Sequence, residues 1–148
     1  MLIDTNVFLI DRFFKNDANY PENKKFINNL KKSEAFISIF TLLELCGIAS
    51  FNLSKTELNR WLMSFSQVYP IKVLEPTNIE NINGLELFNT FISNIYNEIQ
   101  NKATLLDALL IKEAKIHKIN KIITWNKKHF IYQTDIKILT PFEFNYQV

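Results

Sequence analysis

Apolar residues along this chain fall into two patterns, short unbroken runs and stripes at helical spacing, and the two take turns. Met1-Leu2-Ile3 is an unbroken run that stops at Asp4 and passes into Val7-Phe8-Leu9-Ile10. A strand covered on both faces carries no polar alternation, so this opening predicts the first strand of a parallel sheet and then a helix ending near Lys15. Pro21 suits a first helical turn, and Glu22 to Lys32 continues as a lysine-rich helix with Phe26, Ile27 and Leu30 inward. Ala35 to Ile39 reads as the second strand. Thr41 follows as N-cap with Glu44 three positions on, the spacing of a capping box, ahead of a helix over Leu42 to Phe51. Ser54 and Glu57 repeat that spacing before a fourth helix, whose Leu58, Trp61, Leu62 and Phe65 form one apolar stripe. Ile71 to Leu74 is a third strand stopped by Pro76. A long helix runs from Asn78, or from the vicinity of Gly84, to about Gln100, with Phe88, Phe91, Ile92, Ile95 and Ile99 on one face. Ala103 to His117 is the next helix, Lys121 to Trp125 the fourth strand, and Ile136 to Leu139, before Pro141, the fifth.

Strands alternate with helices or helix pairs, which predicts right-handed crossovers and a three-layer α/β/α sandwich around a mostly parallel five-stranded sheet. A chain of 148 residues fits one domain over residues 1–148. Apolar residues at 47%, with 13 Phe, argue for a packed core and against general disorder. A net charge of +2 permits a nucleic-acid partner without demanding one. The one cysteine, Cys46, cannot form an internal disulfide, which fits a reducing, cytoplasmic compartment. Asp4 and Asp11 interrupt the apolar start, so no signal peptide is expected, and no uncharged apolar stretch approaches the roughly 18 residues of a membrane span.

Four polar positions are oddly placed for a simple fold: Asp4, Glu44, Asp107 and Asn126. Asp4 ends the first strand, at the sheet edge where ligands bind in open parallel sheets, and reads equally as a helix N-cap. Glu44 taken alone is the partner of Thr41 in a capping box, yet its neighbours Leu42, Leu43, Leu45 and Ile48 make that helix apolar nearly all round. Asp107 has Ala103, Ile111 and Ala114 on its own face, while an exposed stripe is assigned to Lys112 and Lys115, a wheel that Glu113 fits badly. A partly buried carboxylate is usually paired or ligating, so a functional role is favoured for Asp107. Asn126 suits an Asx-turn, His129 a surface loop, and His117 a helix end or the surface. Oxygen donors without a His or Cys cluster favour Mg²⁺ or Mn²⁺. Such an ion can activate water and polarise a phosphate, which is the chemistry of phosphodiester hydrolysis. An aspartyl-phosphate enzyme is set low, because the haloacid dehalogenase type wants Asp-x-Asp where this chain has Asp4-Thr5-Asn6.

With these residues in view the chain resembles the PIN-domain family of metal-dependent nucleases, in particular VapC-type toxins of toxin–antitoxin pairs. The resemblance rests on Leu2-Ile3-Asp4-Thr5-Asn6, on Ser38 to Glu44, on Leu106 to Ile111 with Ala114, and on Ile123 to Phe130. It implies Asp4, Glu44 and Asp107 as catalytic metal ligands, with Asn6 and Thr41 orienting them or binding water. Asn126 stands in the Thr-x-Asp/Asn position and His129 precedes Phe130, where a further acid is common in the family; neither is a carboxylate. Lys127 and Lys128 are candidates for contact with RNA phosphates, or a solvated lysine pair. The family further implies RNA, often tRNA or ribosomal RNA, as substrate, a cognate antitoxin and a homodimer, to which Trp61 and Phe65 would contribute if they are not core. The alternative is a degenerate PIN domain that binds RNA or protein without cutting.

Overall fold

A computed structural model describes residues 1–75, 83–130 and 132–145. Five strands and seven α-helices are found there, in the order β1 (Leu2–Ile3), α1 (Thr5–Arg12), α2 (Tyr20–Asn29), β2 (Phe36–Ser38), α3 (Ile39–Ala49), α4 (Lys55–Val68), β3 (Lys72–Leu74), α5 (Gly84–Gln100), α6 (Leu105–Ile116), β4 (Lys121–Ile123), β5 (Lys137–Leu139) and α7 (Pro141–Asn145). Every strand pairing is parallel, in the spatial order β3-β2-β1-β4-β5. The expected α/β/α sandwich is therefore observed, with a sheet that is parallel throughout. The chain leaves β1 toward β2 and β3 on one side and resumes on the other with β4 and β5. The carboxyl ends of the neighbours β1 and β4 therefore mark the switch point of the sheet, where ligand crevices form in open parallel sheets.

Alternate strand residues feed two cores, as the two-residue side-chain period requires. Ile3, Ile37, Ile123 and Leu139 face one way, against Val7 and Phe8 of α1, Phe26 of α2 and Phe65 of α4. Leu2 and Ile122 face the other way, against Ile95 of α5 and Ala108, Ile111 and Ala114 of α6. Phe8, Phe65 and Tyr69 meet with ring centroids about 5 Å apart, so Phe65 belongs to the core. Trp61 lies half-buried beside Phe13 and Arg12. No helix among the described residues is long and apolar enough to cross a membrane.

Several sequence expectations need correction. Helix α3 begins three residues earlier than expected. Ser38, not Thr41, is its N-cap, with extended backbone and a hydroxyl that accepts from the Phe40 amide at 3.1 Å. Thr41 and Glu44 thus lie inside the helix, and their capping-box reading fails. The capping box at Ser54 and Glu57 does form. The apolar face assigned to the long helix is narrower than expected: Ile95 is buried and Phe91 half-buried, whereas Phe88, Ile92 and Ile99 are exposed, because α5 packs chiefly on α6. Pro76 and the stretch from Asn78 to Ile82, where that helix was expected to begin, lie outside the described residues. Lys112 is not part of an exposed stripe. Its ammonium is buried 2.9 Å from Glu113 Oε1 and 4.6 Å from the centre of the Phe91 ring, since α5 covers that flank of α6. Lys115, exposed as expected, bonds Glu98 of α5.

Candidate functional site

Asp4 is the residue around which the crevice is organised, and both readings of it hold at once. Its Oδ1 accepts from the Thr5 amide at 2.7 Å, capping α1. Its Oδ2 accepts from Asn6 Nδ2 at 2.6 Å and from the Thr124 hydroxyl at 2.7 Å. Asn6 Nδ2 also donates to Thr124 Oγ1 at 2.9 Å, while Asn6 Oδ1 accepts from the Trp125 amide at 3.0 Å. The amide of Asn126 closes the knot by donating to Thr124 Oγ1 at 2.9 Å. These bonds tie the segment after β1 to the segment after β4, two strands that are already paired. A second latch lies beside them, where the Trp125 indole donates to Asn23 Oδ1 at 2.8 Å and Asn23 Nδ2 donates to the Val7 carbonyl at 2.9 Å.

Each further carboxylate comes from its own helix and has its own threonine. Glu44 projects from α3 and accepts from the Thr5 hydroxyl. Asp107 stands at the third position of α6, whose N-cap is Thr104; the Thr104 hydroxyl donates to Asp107 Oδ2 at 2.7 Å. The Asp107 side chain is only 15% exposed, as its apolar sequence surroundings imply. Nδ1 of His129, from the turn after β4, lies 3.7 Å from Asp107 Oδ2.

Asp4, Glu44 and Asp107 all face one cavity of about 290 Å³, shared with Thr41, Asn126 and His129. Leu9, Leu106 and Leu110 supply apolar wall. Among the described residues no lysine or arginine lines it. The Asp4 carboxyl is pushed up to about 6, chiefly by burial and additionally by the nearby negative charges of Glu44 and Asp107, against the lowering effect of its bonds from Thr124 and Thr5. Three acids around a shared space that no lysine or arginine among the described residues lines leave negative charge to be compensated, and hard oxygen donors of this kind suit a divalent cation that keeps part of its water. The donors surround the cavity and are not drawn together: among the described residues no three carboxylate, imidazole or thiolate groups are close enough to hold an ion between them directly.

The remaining candidates divide. Asn6 and Thr41 reach the cavity, Asn6 through the bonds above. Asn126 is exposed on the rim, and its side chain caps nothing. Lys127 bonds Glu143 at 2.6 Å and Lys128 is exposed; neither lines the cavity. The sequence carries Thr5 and Thr124 inside its motifs without saying what they bond, and Thr104 is an ordinary helix-end threonine; only the fold reveals that their hydroxyls hold Glu44, Asp4 and Asp107 respectively. His129 was assigned to a surface loop and is a rim residue, 47% exposed.

A family model described as PIN domain matches residues 1–136. The fold is similar to that in "Structure of FitAB bound to IR36 DNA fragment", with a TM-score of 0.62 and 16% identity over 95% of this chain and 94% of that one. It is similar to FitAcB from Neisseria gonorrhoeae, with a TM-score of 0.59 and 16% identity over 95% of this chain and 96% of that one. VapBC2 from Rickettsia felis, bound to a DNA fragment from their promoter, gives a TM-score of 0.61 and 18% identity over 94% of this chain and 96% of that one. At such identities the likeness is one of fold. No curated protein sequence matches the chain significantly.

Proposed function

The chain belongs to the PIN-domain family, and on that premise we propose that it is a Mg²⁺-dependent endoribonuclease and the toxin of a type II toxin–antitoxin pair. The observation that carries this reading is the shared cavity: three carboxylates from three separate elements, each held by a threonine hydroxyl, with no lysine or arginine among the described residues that line it. Asp4, Glu44 and Asp107 would hold Mg²⁺ or its substitute Mn²⁺. The bound ion supplies water activation and charge stabilisation at the scissile phosphate. Without that positive charge, three carboxylates repel a phosphodiester.

The protein's own contribution is orientation. Asn6 and Thr124 donate to one oxygen of Asp4, which holds the carboxylate plane in place, and Thr5 and Thr104 do the same for Glu44 and Asp107. Outer bonds of this kind govern how well a ligand set works. Thr41 and Asn126 offer neutral oxygens to water at the cavity wall and rim. Lys128 would meet RNA phosphates from outside, with Lys127 held back by Glu143. The paired names FitAB and VapBC2 and the promoter DNA in one of them support a partner antitoxin for this chain, and a homodimer is expected with it.

The test is cleavage of a panel of tRNA and ribosomal RNA with Mg²⁺, Mn²⁺ or EDTA. Wild type is expected to cut only with metal and Asp4→Asn not at all; metal-independent cutting that survives the substitution refutes the assignment. A second reading, a degenerate PIN domain that binds without cutting, is favoured by the spread of the donors around the cavity and by Asn126, which brings no charge. Calorimetric titration with Mn²⁺ separates the two: heat that disappears in Asp4→Asn favours the nuclease, and no heat from wild type favours the binding domain.

A further inference from the structure

We propose that His129 is a nitrogen donor of the cation site, so that the site takes Mn²⁺ or another imidazole-binding transition ion in preference to Mg²⁺. The inference rests on the cation-site reading above and adds to it a ligand of a different chemical kind.

Position comes first. His129 lines the cavity, and its Nδ1 stands 3.7 Å from Asp107 Oδ2. That separation is too long for a hydrogen bond. It is close to the spacing that two ligands keep in adjoining positions on one ion, about 3–3.5 Å for bonds of 2.0–2.2 Å. Asp107 has its hydrogen-bond donor already, in the Thr104 hydroxyl at 2.7 Å. At this distance the two form an ion pair when the imidazole is protonated, and its neutral form stands where a fellow ligand of Asp107 on one ion would stand.

The backbone that carries the imidazole is also fixed. The turn Lys127–His129 is closed by the His129 amide donating to the Asn126 carbonyl at 2.9 Å, is followed at once by Phe130, whose ring is 1% exposed, and is tethered by Lys127 to Glu143. Asn126 is in turn fixed through its amide to Thr124, the same hydroxyl that holds Asp4. One loop therefore braces Asp4 and presents the imidazole. Imidazole nitrogen suits the borderline transition ions, whereas Mg²⁺ is met by oxygen and water. A site of three carboxylates and an imidazole thereby gains affinity for Mn²⁺ without a matching gain for Mg²⁺.

The chain supplies its own control, because it has only two histidines. His117 sits at the far end of α6 with Nε2 3.6 Å from the buried Glu113. Untagged full-length protein is loaded with Mn²⁺ and examined by pulsed electron spin echo spectroscopy, which detects ¹⁴N directly bonded to manganese. Wild type and His117→Ala are expected to show the nitrogen modulation, and His129→Ala to lack it while still binding Mn²⁺. By calorimetry His129→Ala should lose about tenfold or more in Mn²⁺ affinity, a loss that even outer supporting residues can cause, and keep its Mg²⁺ affinity. Mn²⁺ bound by wild type and lost in Asp4→Asn, with no nitrogen modulation, overturns the role of His129 and leaves the proposed function standing. Wild type that binds no Mn²⁺ overturns both.

Discussion

Replacing Asp4 by asparagine should invert its effect on stability between acid and alkaline pH. Burial makes the Asp4 carboxyl ionise near 6 in place of its ordinary 3.8. Below 3.8 the residue is protonated both folded and unfolded, and it contributes nothing. Between 3.8 and 6 the unfolded chain releases its proton while the folded one keeps it, so folding stability falls as pH rises. At about 1.4 kcal/mol per pH unit, the full effect above pH 6 is a destabilisation of about 3 kcal/mol from ionised Asp4. Asparagine removes it. The substituted side chain can still accept from the Thr5 amide through its oxygen, but its NH₂ then confronts Asn6 Nδ2, a mismatch costing about 1–2 kcal/mol at every pH. Asp4→Asn should accordingly be less stable than wild type by about 1–2 kcal/mol at pH 4 and more stable by a similar amount at pH 8. Urea denaturation in EDTA across that range measures it, with unchanged slopes required for the comparison. Glu34, Glu57 and Glu143 have carboxyls lowered by Lys72, Ser54 and Lys127 respectively. They add stability in the opposite sense, but equally in both proteins, so the difference isolates Asp4. A difference that stays constant from pH 4 to pH 8 would refute the buried-charge account.

Lys112→Met should cost about 3–5 kcal/mol, since it leaves the buried Glu113 carboxyl without its ammonium partner and with only His117, 3.6 Å away, whereas the double variant with Glu113→Leu should recover most of that in thermal or urea unfolding. Tyr69→Phe removes the hydroxyl that donates to Asp11 at 2.9 Å but leaves Lys24 in place, so urea melts should register about 1.5–3 kcal/mol. Thr124→Val should cost about 1–3 kcal/mol and Thr124→Ser much less, because the hydroxyl and not the methyl serves Asp4, Asn6 and Asn126. Equal losses for Val and Ser at position 124 would show that packing, not the hydroxyl, matters there.

What the sequence disclosed follows from how local each interaction is. The strand at Leu2–Ile3, the helix stripe at Phe65 and the capping box at Ser54 depend on residues a few positions apart, and each appears where its pattern predicts. Thr41 and Glu44 had the correct spacing for a cap, but Ser38 has the same chemistry three residues earlier, and an unbroken apolar run does not say where strand becomes helix. Lys112 was placed outside because lysine seldom is buried; its partner Glu113 is adjacent, and adjacent residues on a helix do not normally face each other. Asp4, Glu44 and Asp107 stood out as acids in apolar surroundings, and the family pattern marked the positions of Thr124 and His129, but what these two meet, Asp4 and Asp107, no local pattern encodes.

The bond between Thr124 and Asp4 joins residues 120 positions apart. At about 5–20 residues per second, Thr124 is added to the growing chain about 6–24 s after Asp4. Throughout that interval the growing chain has neither the hydroxyl that orients Asp4 nor the loop that carries His129. The cavity takes its shape only after both segments have been made, so the carboxylate exists well before the site that uses it.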